Sequence, residues 1–179
     1  MTGTPRAVLT GFMGSGKSTV GSALADALGV GYLDTDAELE RRAGRTIPEI
    51  FAHDGEAAFR ALERDVVLDA LATFDGVVAL GGGSVTVPDI AAALSDHPVV
   101  YLRIGPAEGF ARVEHSDRPL LNDPDPAGRY AELLAGRVPA YEAVATHVVD
   151  ATAPVGVVVE RVLSLLAPRG PEPADRSTA

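Results

Sequence analysis

Two rhythms of apolar and polar residues alternate along this chain. Short apolar runs at residues 7–10, 31–33, 77–80, 99–104 and 148–149 have the length and character of buried strands. Between them the period lengthens to that of a helix. Residues 17–28 place Val20, Leu24 and Leu28 on one face, and Gly29 follows as a C-cap. Helical stretches are expected at 37–43, 47–53, 56–73, 88–94, from Pro106, at 127–140 and at 155–166. Residues 113–127 are polar and carry Pro119, Pro124 and Pro126, which predicts a long mobile loop. Residues 168–179 are rich in proline and polar side chains, and a disordered tail is expected. Strands that alternate with helices predict an α/β domain of three layers, a parallel sheet with helices on both faces. One such domain is expected to span residues 1–167.

Composition narrows the function classes. No cysteine is present, so disulfides, thiolate metal sites and thiol nucleophiles are excluded together. The net charge is −10, which disfavours nucleic acid and anionic membranes as partners over most of the surface. No apolar run approaches the ~18 residues of a membrane span, and residues 1–6 lack a signal pattern, so a cytoplasmic protein is expected. Lys17 is the sole lysine, and the other cationic side chains are all arginines.

That lysine lies in Gly11-Phe-Met-Gly14-Ser15-Gly16-Lys17-Ser18, with Thr19 next, between an expected strand and an expected helix. This is a P-loop in the setting that makes it credible. Glycines let the backbone curl with its N–H groups inward, and the helix N-terminus adds partial positive charge. Lys17 can reach the β- and γ-phosphates, and Ser18 is placed to ligate Mg²⁺. The motif leaves the acceptor open, since GTPases, ATPases and many kinases share it. A guanine-reading Asn-Lys-x-Asp motif is impossible when the single lysine is at position 17.

Other segments have two readings each. Asp34 and Asp36 follow the second strand, where ligands bind in open α/β sheets. As residues i and i+2 of an extended segment they could share a metal and acceptor site, or they could cap the next helix. Arg60 and Glu63 could serve a ligand or form a surface ion pair. Gly81-Gly82-Gly83 could expose backbone N–H groups to a small ligand or form a flexible turn. Arg118, in the long loop, and Arg137, near a helix end, could bind anions or simply be solvated.

Taken together, Asp34-Thr-Asp36, Gly55-Glu56-x-x-Phe59-Arg60-x-x-Glu63, Gly81-Gly82-Gly83, Arg118-Pro-Leu-Leu and Arg137-x-Pro-x-Tyr141 make the chain resemble the shikimate kinase family over residues 7–166. The resemblance implies a P-loop kinase fold with a five-stranded parallel sheet and a mobile lid near 113–127. It implies transfer of the γ-phosphate of ATP to the 3-hydroxyl of shikimate, by a monomer. Gly14, Ser15, Gly16, Lys17, Ser18 and Thr19 would bind ATP, with Arg112 against the adenine. Ser18 and, through water, Asp34 would hold Mg²⁺. Asp36 would bind shikimate hydroxyls and take the proton of the attacking one. Arg60 and Arg137 would grip the shikimate carboxylate near Gly81, Gly82 and Gly83, with Glu63 orienting Arg60. Lys17 and Arg118 would stabilise charge on the transferring group. In the family an arginine often follows the last strand, on the adenine side; Asp150-Ala-Thr-Ala-Pro154 has none. A gluconate kinase is the alternative, but it should lack the set Arg60, Gly82 and Arg137.

Overall fold

The computed structural model describes residues 3–115 and 123–167. The five expected strands form, as β1 (Ala7–Thr10), β2 (Gly31–Asp34), β3 (Gly76–Ala79), β4 (Val99–Arg103) and β5 (His147–Asp150). They make one parallel sheet in the order β2-β3-β1-β4-β5. Successive strand residues face opposite sides. Val8 therefore joins the core on one face, while Ala7 and Leu9 join the core on the other.

Two helices cover the second face. These are α1 (Lys17–Leu28), through Val20 and Leu24, and α7 (Val155–Leu166), through Val158 and Val162. On the first face lie α3 (Ile47–Thr73), α4 (Pro88–Ala93), α5 (Pro106–Val113) and α6 (Pro126–Val144). The remaining helix, α2 (Thr35–Ala43), packs Leu39 with Ile50, Phe59 and Val66 of α3 in a small core of its own. That corner stands beside the cleft described below.

Three boundaries differ from those expected. α2 starts at Thr35 because the Asp34 side chain caps it, accepting from the N–H groups of Asp36 (3.0 Å) and Ala37 (3.2 Å). The stretches 47–53 and 56–73 run on as one helical segment, broken only at Gly55, whose φ of 82° and ψ of 174° turn the chain where other residues would be strained. Its start carries a capping box between Thr46 and Glu49. α6 extends to Val144, past Pro139. The loop expected at 113–127 is bounded by α5 and α6, and its central part, with Arg118, lies outside the described residues, as does the tail 168–179.

Candidate active site

The carboxyl ends of β1, β2 and β3 open into one cleft of about 950 Å³. Leu9 pairs with Ala79 and Ala79 with Asp34, so the segments that follow these strands emerge at one level. Such a crevice is where open α/β sheets bind ligands.

The phosphate loop forms the floor. Gly16 caps α1 at φ 85°, and the Ser15 N–H closes a turn onto the Phe12 carbonyl at 3.1 Å. The Lys17 ammonium curls back over the loop, donating to the carbonyls of Gly11 (2.7 Å) and Phe12 (3.2 Å). Gly14, Ser15, Gly16, Lys17, Ser18 and Thr19 all line the cleft. The donor set at the N-terminus of α1 suits an anion.

Asp34 does two things at once. One carboxylate oxygen caps α2; the other lies 3.3 Å from the Ser18 hydroxyl and 3.4 Å from that of Tyr32. A hydroxyl and a carboxylate oxygen this close, facing a phosphate cradle, are the hard oxygen donors Mg²⁺ prefers. Among the described residues no cluster of three or more His, Asp or Glu could form a metal site by itself.

Asp36 is not part of an extended segment, as the i and i+2 spacing suggested. It sits in the first turn of α2, and the helical turn still brings its carboxylate into the cleft, against the Cα of Gly81. A Cβ on Gly81 would stand 2.5 Å from Asp36 Oδ1. Burial, followed by the nearby charges of Asp34 and Glu63, pushes the Asp36 carboxyl up to about 6, against a smaller opposing pull from Lys17.

Arg60 and Glu63 are not a surface pair. Glu63 is only 2% exposed, and its two oxygens are separately satisfied, by Arg60 Nη1 at 2.5 Å and by the Ser84 hydroxyl at 2.7 Å. A buried carboxylate held this way fixes the guanidinium it faces. Arg137 enters from α6 and lines the same cleft. Its Nη1 is buried without a hydrogen-bond partner among the described residues. Gly83 shows how the two arginines meet. A Cβ there would lie 2.8 Å from Arg60 Nη2 and 3.0 Å from Arg137 Nη1. Two guanidinium groups converging on one point, one with an orphaned donor, are an arrangement that suits a carboxylate.

At the far end Arg112 donates to the carbonyls of Gly14 (3.1 Å) and Ala151 (2.9 Å), tying the phosphate loop to the segment after β5. That segment, Ala151 to Pro154, lines the cleft; Asp150 braces it by accepting from the N–H and hydroxyl of Thr152.

Three contributors were given no role from the sequence, Tyr141 having entered only as part of the Arg137-x-Pro-x-Tyr141 motif. Ser84 is completely buried and orients Glu63. A polar residue between the triple glycine and an apolar valine was its one available signal. The Tyr141 hydroxyl donates to the Gly82 carbonyl, and the Tyr130 hydroxyl to the Met13 carbonyl.

A shikimate kinase family model matches residues 13–167. The chain is similar to a shikimate kinase of Mycobacterium tuberculosis, 53% identical over 97% of this chain and 99% of that protein. A shikimate kinase of Mycobacterium marinum is 51% identical, over 98% and 96% of the two chains. Among solved structures, the shikimate kinase from Acinetobacter baumannii in complex with shikimate superposes with a TM-score of 0.86 at 34% identity, covering 92% of this chain and 93% of that one. A gluconokinase from Sinorhizobium meliloti reaches only 0.53 at 21% identity, which reflects the shared fold alone. The chain therefore belongs to the shikimate kinase family and is an ATP-dependent phosphotransferase.

Proposed function

We propose that the residues converging on the cleft carry ATP-dependent phosphorylation of shikimate at its 3-hydroxyl, in a division of labour between its two halves. The observation that carries this reading is the meeting of Arg60 and Arg137 at Gly83, beside Asp36 and across from the phosphate loop. The shikimate carboxylate lies between the two guanidinium groups, whose planar donors suit bidentate binding. Glu63 keeps Arg60 aimed. The ring then extends past Gly82 and Gly83 toward Asp36, which accepts from the shikimate hydroxyls.

At the donor end, backbone N–H groups of residues 14–19 and the Lys17 ammonium hold the triphosphate of ATP. The Ser18 hydroxyl and, through water, Asp34 hold Mg²⁺, which supplies neutralising charge on the phosphate oxygens. Arg112 lies against the adenine, and Arg118, outside the described residues, is assigned to the transferring group. Asp36 takes the proton from the attacking hydroxyl as the bond to phosphorus forms. Its elevated affinity for a proton suits that task near neutral pH. Lys17 and Arg118 offset the charge that spreads over the phosphoryl oxygens.

A single domain over residues 1–167, a monomer and a cytoplasmic location complete the reading. ATP is the phosphate donor. Among the described residues no helix is long and apolar enough to cross a membrane.

The test is a coupled assay for ADP with Mg-ATP and, in parallel, shikimate, quinate or gluconate. Shikimate should support turnover far above the other two. Equal or greater turnover with gluconate would reject the acceptor.

A further inference from the structure

We propose that two buried tyrosines on α6 are positioning residues, Tyr141 for the acceptor and Tyr130 for ATP. The proposal rests on the site reading above and assigns roles to groups that reading leaves unused.

Both side chains are completely buried. Filling the core would need only the ring; taking a phenol hydroxyl out of water costs free energy unless a partner receives it. Each hydroxyl has a partner in a different half of the cleft. Tyr141 Oη donates to the carbonyl of Gly82 at 2.6 Å. The Gly82 carbonyl and the Gly83 N–H belong to one planar trans peptide, so fixing the first fixes the second, which points the opposite way. Tyr141 also lies one helical turn beyond Arg137, on the same side of α6. Its hydroxyl therefore sets the distance between the helix that carries Arg137 and the glycine turn on which Arg60 and Arg137 meet.

Tyr130 Oη donates to the carbonyl of Met13, within the phosphate loop, at 2.7 Å. It reaches there through a gap left by Gly109 of α5, where a Cβ would stand 2.0 Å from the hydroxyl oxygen. Gly109 in turn presses its carbonyl against Gly14, 2.7 Å from where a Cβ of that residue would be. The phosphate loop is thus braced from behind by α5 and α6 together. One helix holds the backbone of both substrate subsites, each by a single phenol.

Tyr101 supplies an internal control. It is as deeply buried and stacks on Tyr141 at 5.0 Å, but its hydroxyl has no hydrogen-bond partner among the described residues.

The experiment compares Y141F, Y130F and Y101F, each of which keeps the buried ring. Steady-state KM is measured for shikimate and for ATP, with the shift in Tm that each substrate induces as a second readout. Y141F should raise the shikimate KM roughly threefold to tenfold and leave the ATP KM within about twofold. Y130F should do the reverse, and Y101F should move neither. Equal changes in both KM values, no change, or the same pattern from Y101F would overturn the proposal. So would a variant that fails to fold, since the hydroxyl would then be a requirement of folding rather than of positioning. R60A, measured alongside, separates this idea from its foundation. If R60A leaves the shikimate KM unchanged, the acceptor site itself is misassigned. If R60A raises it while Y141F does not, only the tyrosine's role is rejected.

Discussion

The phosphate loop is one continuous stretch of backbone, whereas the proposed acceptor half is assembled from four distant ones. Residues 11–19 carry their own geometry. Glycines turn the chain, a lysine folds over two carbonyls five and six residues behind it, and a helix begins. The acceptor half takes Asp36 from α2, Arg60 and Glu63 from α3, the glycine turn after β3, and Arg137 from α6. Nothing local holds these together. What does is a set of buried polar contacts: Thr35 Oγ1 accepting from Gly81 N at 3.2 Å, Ser84 on Glu63, Glu63 on Arg60, and Tyr141 on Gly82. The phosphate loop leans on few distant contacts, chiefly those of Tyr130 and Arg112. A site built from long-range contacts is exposed to every one of them, which suits the part of the enzyme that selects its substrate.

The contrast can be broken most forcefully at Asp36. Asp36→Asn should lower kcat by roughly a hundredfold or more and leave the ATP KM nearly unchanged. The same variant should be more stable than the parent. The folded carboxyl sits at about 6, above its ordinary 3.8, so the ionised form costs the folded state on the order of 3 kcal/mol. The stabilising effect of the bound proton is complete below the ordinary value and is lost as pH rises through about 6. Asparagine should therefore raise Tm near pH 8 and not near pH 4, as thermal denaturation at the two pH values would show. A fall in Tm at the higher pH would contradict the burial argument.

Gly83→Ala should have the next largest effect. Its φ of −102° accommodates alanine, so the fold should persist, but the added methyl meets both guanidinium groups at 3.0 Å or less. The shikimate KM should rise roughly tenfold, with the ATP KM little altered. Parallel loss on both substrates would mean that the two halves are not separable.

The smallest effect expected is that of pH on the unmodified enzyme. With Asp36 required as the carboxylate, kcat/KM for shikimate should be about halved near pH 6 and fall further below it. A profile flat to about pH 5 would remove proton acceptance by Asp36 from the mechanism.

The same contrast governs what could be read from the sequence. The phosphate loop was legible because all its determinants are adjacent, and the strands and helices because their periodicity is local. Arg60 and Glu63 allowed two readings, since a charged pair three apart on a helix is usually solvated and only the fold puts Glu63 at 2% exposure. For Asp36 an argument about extended chain left a shared site and a helix cap both open, and only the family resemblance gave it a role in the cleft. The cap made by Asp34 turns that segment into a helix, and the carboxylate arrives by another route. Ser84, Tyr130 and Tyr141 were illegible as site residues because their partners are 21, 117 and 59 positions away.

The central claim is that Arg60 and Arg137 recognise a carboxylate. It is tested most directly by comparing shikimate with its methyl ester as substrates of the parent enzyme and of Arg60→Ala. The ratio of the two KM values is insensitive to any loss of folded protein. The parent should prefer the acid by about tenfold to a hundredfold, and Arg60→Ala should lose most of that preference. If Arg60→Ala discriminates acid from ester as strongly as the parent does, Arg60 does not bind the carboxylate and the account is wrong.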